Sequence, residues 1–185
     1  MISYWKDIVI SELSNSLSSI DENQYKDFLS MLLRSNQKVL CVGVGRVLIS
    51  LKAWVKRLVH LGIDINYVGS ETEPPVGPGD LLIVASASGE SIFPVAIAKK
   101  AKMLGTNVAY IGCSPDSTIA QVADICMILK GRTKFSGEDD KASIQPMSTL
   151  FEQQLYLLGD IIALDIMEMN NWDESHIKEN HANLE

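Results

Sequence analysis

The chain has no apolar run near the ~20 residues that a membrane span requires, no Cys-x-x-Cys pair and no surplus of basic charge. Each absence closes a class of protein. The opening stretch, Met1-Ile2-Ser3-Tyr4-Trp5-Lys6-Asp7, has neither the basic start nor the apolar core of a signal peptide, so a cytoplasmic protein is expected. Cys41, Cys113 and Cys126 are odd in number and sit in or beside apolar runs. They read as reduced core thiols, not as a disulfide framework or a zinc site. A formal charge of −7 and a pI near 5.0 argue against a nucleic-acid partner and against an anionic membrane surface. An anionic ligand would have to be held locally, by helix N-termini and a few placed cations.

What remains is enough for one α/β domain. At 185 residues with 46% apolar content, a single core over residues 1–185 is expected. Residues 1–35 form an N-terminal helical arm, with apolar positions at Trp5, Ile8, Val9, Leu13 and Leu17. A second helix after Asp21 carries Tyr25, Phe28, Leu29, Leu32 and Leu33. Short apolar runs at 39–42, 63–68, 81–85, 107–112 and 124–129 read as strands, with helices at 46–61, 92–104 and 117–122 between them. This alternation predicts a five-stranded parallel sheet flanked by helices, flavodoxin-like. With the strand order 2-1-3-4-5, the switch point falls between strands 1 and 3, where open α/β sheets bind ligands.

Two unusual loops then meet at that point. Gly43-Val44-Gly45-Arg46 follows the first strand. A dinucleotide fingerprint would need a third glycine where Leu48 stands, which disfavours NAD. Ala85-Ser86-Ala87-Ser88-Gly89-Glu90-Ser91 follows the third strand and opens a helix, so three hydroxyls and several backbone N–H groups face one spot. That suits a phosphate, although serine is also a common helix cap.

Beyond residue 129 the chain turns polar through Gly131-Arg132-Thr133-Lys134 and Glu138-Asp139-Asp140. An excursion of this kind over 130–145 suggests a functional loop or a lid. Residues 146–185 are read as a C-terminal helix and tail. The helix, to about residue 169, is apolar on more than one side, as expected of an oligomer core. Glu152 sits in its first turns, where apolar surroundings would strengthen it as a base. Glutamate there also commonly complements its own helix dipole. The polar tail carries His176 and His181.

With these residues in place, the chain resembles the sugar isomerase (SIS) domain family, and within it the 6-phospho-3-hexuloisomerases. The resemblance runs through Gly43-x-Gly45-Arg46, Arg57-Leu58-x-His60-Leu61-Gly62 and Val76-Gly77-Pro78-Gly79-Asp80. It continues through Ser86-x-Ser88-Gly89-Glu90, Pro115-Asp116-Ser117, Gly131-Arg132-Thr133-Lys134 and Pro146-Met147-x-Thr149-Leu150-Phe151-Glu152, and closes on His181-Ala182-Asn183-Leu184-Glu185. It implies interconversion of D-arabino-3-hexulose 6-phosphate and D-fructose 6-phosphate through a cis-enediol, without metal or cofactor, in a homotetramer with sites near subunit boundaries. The roles it implies are Glu152 as base and His181, reaching a neighbour's site, as an acid/base assistant, with His176 as substitute. Gly45, Arg46, Ser86, Ser88, Gly89 and Ser91 would bind substrate. From their places in the chain, Glu71 and Thr72, bordering the carboxyl end of strand 2, are candidates for sugar-hydroxyl contacts, and His60, at the far end of its helix, reads as structural.

Val47 stands where the family usually has serine, and Ala87 where glycine is more usual. A lost hydroxyl would weaken phosphate binding by roughly ten- to a hundredfold. Isomerisation of another phosphosugar and a non-catalytic phosphosugar sensor therefore stand as alternatives. An intact Glu152 and the lack of an attached DNA-binding segment favour the enzyme.

Overall fold

The computed structural model describes residues 2–134 and 143–184. The elements run α1 (Ile2–Leu17), α2 (Glu22–Leu32), β1 (Val39–Val42), α3 (Arg46–His60), β2 (Ile65–Tyr67), β3 (Leu81–Ala85), α4 (Ile92–Met103), β4 (Asn107–Gly112), α5 (Thr118–Val122), β5 (Ile125–Ile128), α6 (Thr149–Asn170) and α7 (Glu174–Glu179). The strands form one parallel sheet in the order β2-β1-β3-β4-β5, as expected from sequence.

Alternation along the strands splits the core into two layers. Val39, Cys41, Leu81, Ile83, Ala109 and Ile111 pack with Phe28, Trp54, Leu58, Phe151 and Leu155, under α2, α3 and α6. Leu40, Val42, Leu82, Val84, Val108 and Tyr110 pack with Ala98, Ala101 and Ile119, under α4 and α5. Burial on both faces is why β1 and β3 read as continuous apolar runs. Of the three cysteines, Cys41 is buried, while Cys113 and Cys126 are half-buried. Burial pushes the Cys41 thiol up to about 12.

Element ends moved for identifiable reasons. The second strand is shorter than its apolar run because Ile63 belongs to the end of α3. Gly62 (φ 78°) and Ile63 donate their N–H groups back to Val59 and Leu58, a Schellman closure. Helix α6 begins at Thr149 and not at Pro146, because Met147 has a left-handed φ of 58°. The tail contains α7, capped by Asp173, which accepts from Ser175 N–H. The acidic run at 138–140 lies outside the described residues. Residues 143–145, which lead into α6, are tied to α1 through Glu12. Its carboxylate accepts from Ser143 Oγ (2.7 Å), Ile144 N–H (2.8 Å) and Gln145 Nε2 (2.9 Å).

Helix α3 packs closely along α6. Gly159 makes this possible, since a Cβ there would collide with the indole of Trp54. The Trp54 Nε1–H in turn donates to Leu155 O.

Candidate active site

Parallel registration of β1 with β3 pairs Val42 with Val84, so the chain leaves both strands side by side. One exit leads through Gly45 (φ 58°) into α3, and the other through Ser86–Ser91 into α4. The start of α6 closes the third side. Between them lies a cleft of about 200 Å³, lined by Val44, Gly45, Arg46, Val47, Ala85, Ser86, Ala87, Ser88, Ser91, Lys134, Ser148 and Glu152. The residues Gly45, Ser91 and Ser148 that precede these three helices make no side-chain capping bond. First-turn N–H groups, each the positive end of a helix dipole, therefore border one cavity.

The serine loop holds its own shape. Ser86 Oγ accepts from Gly89 N–H at 3.1 Å and lies 3.5 Å from Ser91 Oγ, while Ser88 Oγ accepts from Glu90 N–H at 3.2 Å. Gly89 shapes the loop without lining the cleft. Its φ is 66°, and a Cβ there would strike the Ser117 side chain and lie 2.7 Å from the Tyr110 hydroxyl. Glu90 turns away to α5, accepting from Thr118 N–H (2.6 Å) and Oγ1 (2.8 Å). Those two bonds hold its carboxyl below the usual range. The loop thus keeps its hydroxyls at the cleft and engages its carboxylate elsewhere.

Glu152 faces the serine loop from α6. Its side chain is 11% exposed, against 64% for Arg46. One carboxylate oxygen pairs with Arg46 Nε, and the other accepts from Ser148 Oγ at 3.1 Å. Ser50 Oγ donates to the Glu152 backbone carbonyl at 2.9 Å, fixing the first turn of α6 against α3. The expectation of apolar surroundings is corrected here, since both oxygens meet polar partners.

Arg46, Ser86, Ser88, Ser91, Gly45 and Glu152 are thus brought together. Thr72 is not among the lining residues; it is exposed, and its hydroxyl and carbonyl accept from Asn66 Nδ2. His181 lies with its ring centroid 4.7 Å from that of His60, at the opposite end of α3. The helix runs fifteen residues from Arg46 to His60, about 21 Å of rise between the two. His176 stacks on Trp172 at 3.9 Å. Neither histidine lines the cleft of its own chain. His60 is buried, as a structural role requires. Three residues that sequence reasoning left unassigned also matter: Ser148, Ser50 and Lys134. The first had a signal, a hydroxyl four positions before Glu152 on one helix face. Among the described residues, no group of three or more His, Cys, Asp or Glu could hold a metal ion.

Cationic helix ends facing a carboxylate suit an anionic substrate that undergoes proton transfer. The 3-hexulose-6-phosphate isomerase of Bacillus subtilis (strain 168) is 36% identical to this chain, over 96% of this chain and 95% of its own length. The chain belongs to the 3-hexulose-6-phosphate isomerase family. The isomerase of the same name from Methylomonas aminofaciens is 31% identical, over 98% of both chains. A solved structure from Methanococcus jannaschii, inferred to be a 3-hexulose-6-phosphate isomerase, superposes with a TM-score of 0.84. It is 29% identical, covering 98% of this chain and 99% of that one. No protein-family model matches the chain.

Proposed function

We propose that this isomerase interconverts D-arabino-3-hexulose 6-phosphate and D-fructose 6-phosphate through a cis-enediol, as the second step of formaldehyde fixation by the ribulose monophosphate route. The supporting observation is that uncapped N-termini of three helices and the Glu152 carboxylate line one cleft. Ser86, Ser88, Ser91 and the α4 N–H groups hold the phosphate, and Arg46 adds a cation. Glu152 takes the proton from C2 of the 3-ketose, the C–H electrons form the C2–C3 double bond, and the C3 oxygen gains a proton. The carboxyl then returns its proton to C3 while the C2 hydroxyl loses its own and becomes the carbonyl.

His181 enters this scheme only through a second copy, because its own cleft lies at the far end of α3. A homotetramer supplies that copy. Apolar side chains left exposed on α1 and α6, among them Trp5, Leu164 and Met169, support such an assembly. Residues 1–185 act as one domain in the cytoplasm, and no helix among the described residues is long and apolar enough to cross a membrane. Val47, Ala85 and Ala87 give the cleft an apolar floor, which favours a second reading in which the same chemistry serves another phosphosugar.

The test is to incubate the protein with 3-hexulose 6-phosphate and follow fructose 6-phosphate. Turnover that Glu152→Gln abolishes supports the assignment. Turnover that survives this change removes Glu152 as base, and binding without turnover points to a sensor.

A further inference from the structure

The pair formed by Arg46 and Glu152 borders two hollows. On one side is the phosphate cleft, about 200 Å³. On the other is a hollow of about 250 Å³ lined by Arg46, Ile49, Ser50, Glu152, Gln153 and Tyr156. The Arg46–Glu152 ion pair lines both, and it occupies one of the two carboxylate oxygens while Ser148 occupies the other, so neither oxygen is left without a partner. The two side chains are unequal partners. Glu152 is half-buried and held a second time by Ser148, whereas Arg46 is mostly exposed. Its terminal guanidinium nitrogens make no hydrogen bond among the described residues. An arginine that lines both a carboxylate and a cleft suited to an anion has two competing acceptors, and it is the member free to swing.

Resting on the isomerase reading, we propose that Arg46 is a substrate-operated latch on the base. In the empty enzyme it masks Glu152. A phosphate at the starts of α3 and α4 draws the guanidinium into the cleft, which frees the carboxylate and opens the passage between the two hollows. The phosphate thereby does more than anchor the sugar. Binding energy from a group remote from the reacting carbons switches on the proton transfer, and an unphosphorylated sugar meets a masked base.

The test separates phosphate from sugar. Deuterium incorporation at C3 of neutral D-fructose in D2O is followed by NMR, with and without phosphite dianion as the detached anion. Wild type should exchange slowly alone and roughly tenfold or more faster with saturating phosphite. Arg46→Ala should exchange faster than wild type without phosphite and gain nothing from adding it, whereas Arg46→Lys should retain the stimulation. Absence of stimulation in wild type overturns the latch. So does Arg46→Ala with phosphite-free exchange no faster than wild type, because an arginine that only anchors phosphate predicts that result. Failure of the isomerase reading shows separately, as wild type that does not convert 3-hexulose 6-phosphate.

Discussion

Asp21, Ser117 and Asp173 each start a helix by accepting hydrogen bonds from first-turn N–H groups, whereas Gly45, Ser91 and Ser148 start theirs with no side-chain cap. The first three open α2, α5 and α7, and none of them borders the cleft. The other three border it. At two of these the hydroxyl is present but used otherwise: Ser91 Oγ lies near Ser86 Oγ, and Ser148 Oγ donates to Glu152. A side-chain cap contributes about 1 kcal/mol and glycine at a cap position forgoes only a few tenths of that, so the cleft forgoes about 2 kcal/mol, nearly all of it at Ser91 and Ser148. Donors left open in this way are available to an anion. The comparison separates helix starts closed by a side chain from helix starts left open at the cleft, where the proposed phosphate would sit.

The largest expected effect comes from removing the group those open ends surround. Glu152→Gln should lower kcat by roughly 10²- to 10⁴-fold in a fructose 6-phosphate assay, with little change in melting temperature. Next comes the anchor. Combining Ser86→Ala with Ser91→Ala should raise KM for the phosphosugar by roughly ten- to a hundredfold while lowering kcat less. The same variant should lose the rise in melting temperature that inorganic phosphate gives wild type. An unchanged KM would erase the distinction between the two kinds of helix start.

The opposite experiment removes a true cap. Asp21→Ala should cost about 1 kcal/mol in denaturant unfolding and leave KM untouched. If Ser91→Ala alone destabilised the fold as much, Ser91 would have to be counted with the caps.

The smallest effect lies at the other end of α3. A helix C-terminus favours a cation, yet burial, helped by the charges of Lys56, His181 and Arg57, holds the His60 imidazolium below its ordinary value of 6.5. Folded His60 is therefore neutral in a range where the unfolded chain takes up a proton. Its contribution to stability falls as pH drops below about 6.5 and levels off below the lowered value. Unfolding free energies measured across this range should show that slope in wild type and a shallower one in His60→Leu. An identical slope in the variant would assign it to other groups.

The fold was legible because its signals are local and repeated. Continuous apolar runs marked the sheet, and two glycine- or serine-bearing loops after strands 1 and 3 marked the switch point. Boundaries slipped where a non-local or capping effect won. Ile63 looks like strand but closes α3 through the Schellman bonds, and Met147 delays α6 by its left-handed backbone. Within the site, the chemistry-bearing types at helix starts were visible as Arg46, Ser86, Ser88, Ser91 and Glu152. Their mutual contacts were not, because the Arg46–Glu152 pair spans 106 residues and depends on how α3 lies along α6. His181 shows the same limit from the other side. Its place beside His60 follows from the tail folding back, which no periodicity in residues 172–184 encodes.

The missing side chain at Gly159 has a reach beyond its own surroundings. Trp54 rests against it about 12 Å of helix rise below Arg46, and the two helices joined there carry the guanidinium and the carboxylate at their upper ends. A single methyl at position 159 would act as a wedge between two levers, turning a small displacement at the indole into a misaligned proton-transfer geometry a nanometre away. On the role proposed for Glu152, the alignment of the Arg46–Glu152 pair is thus set partly by an atom that is not there.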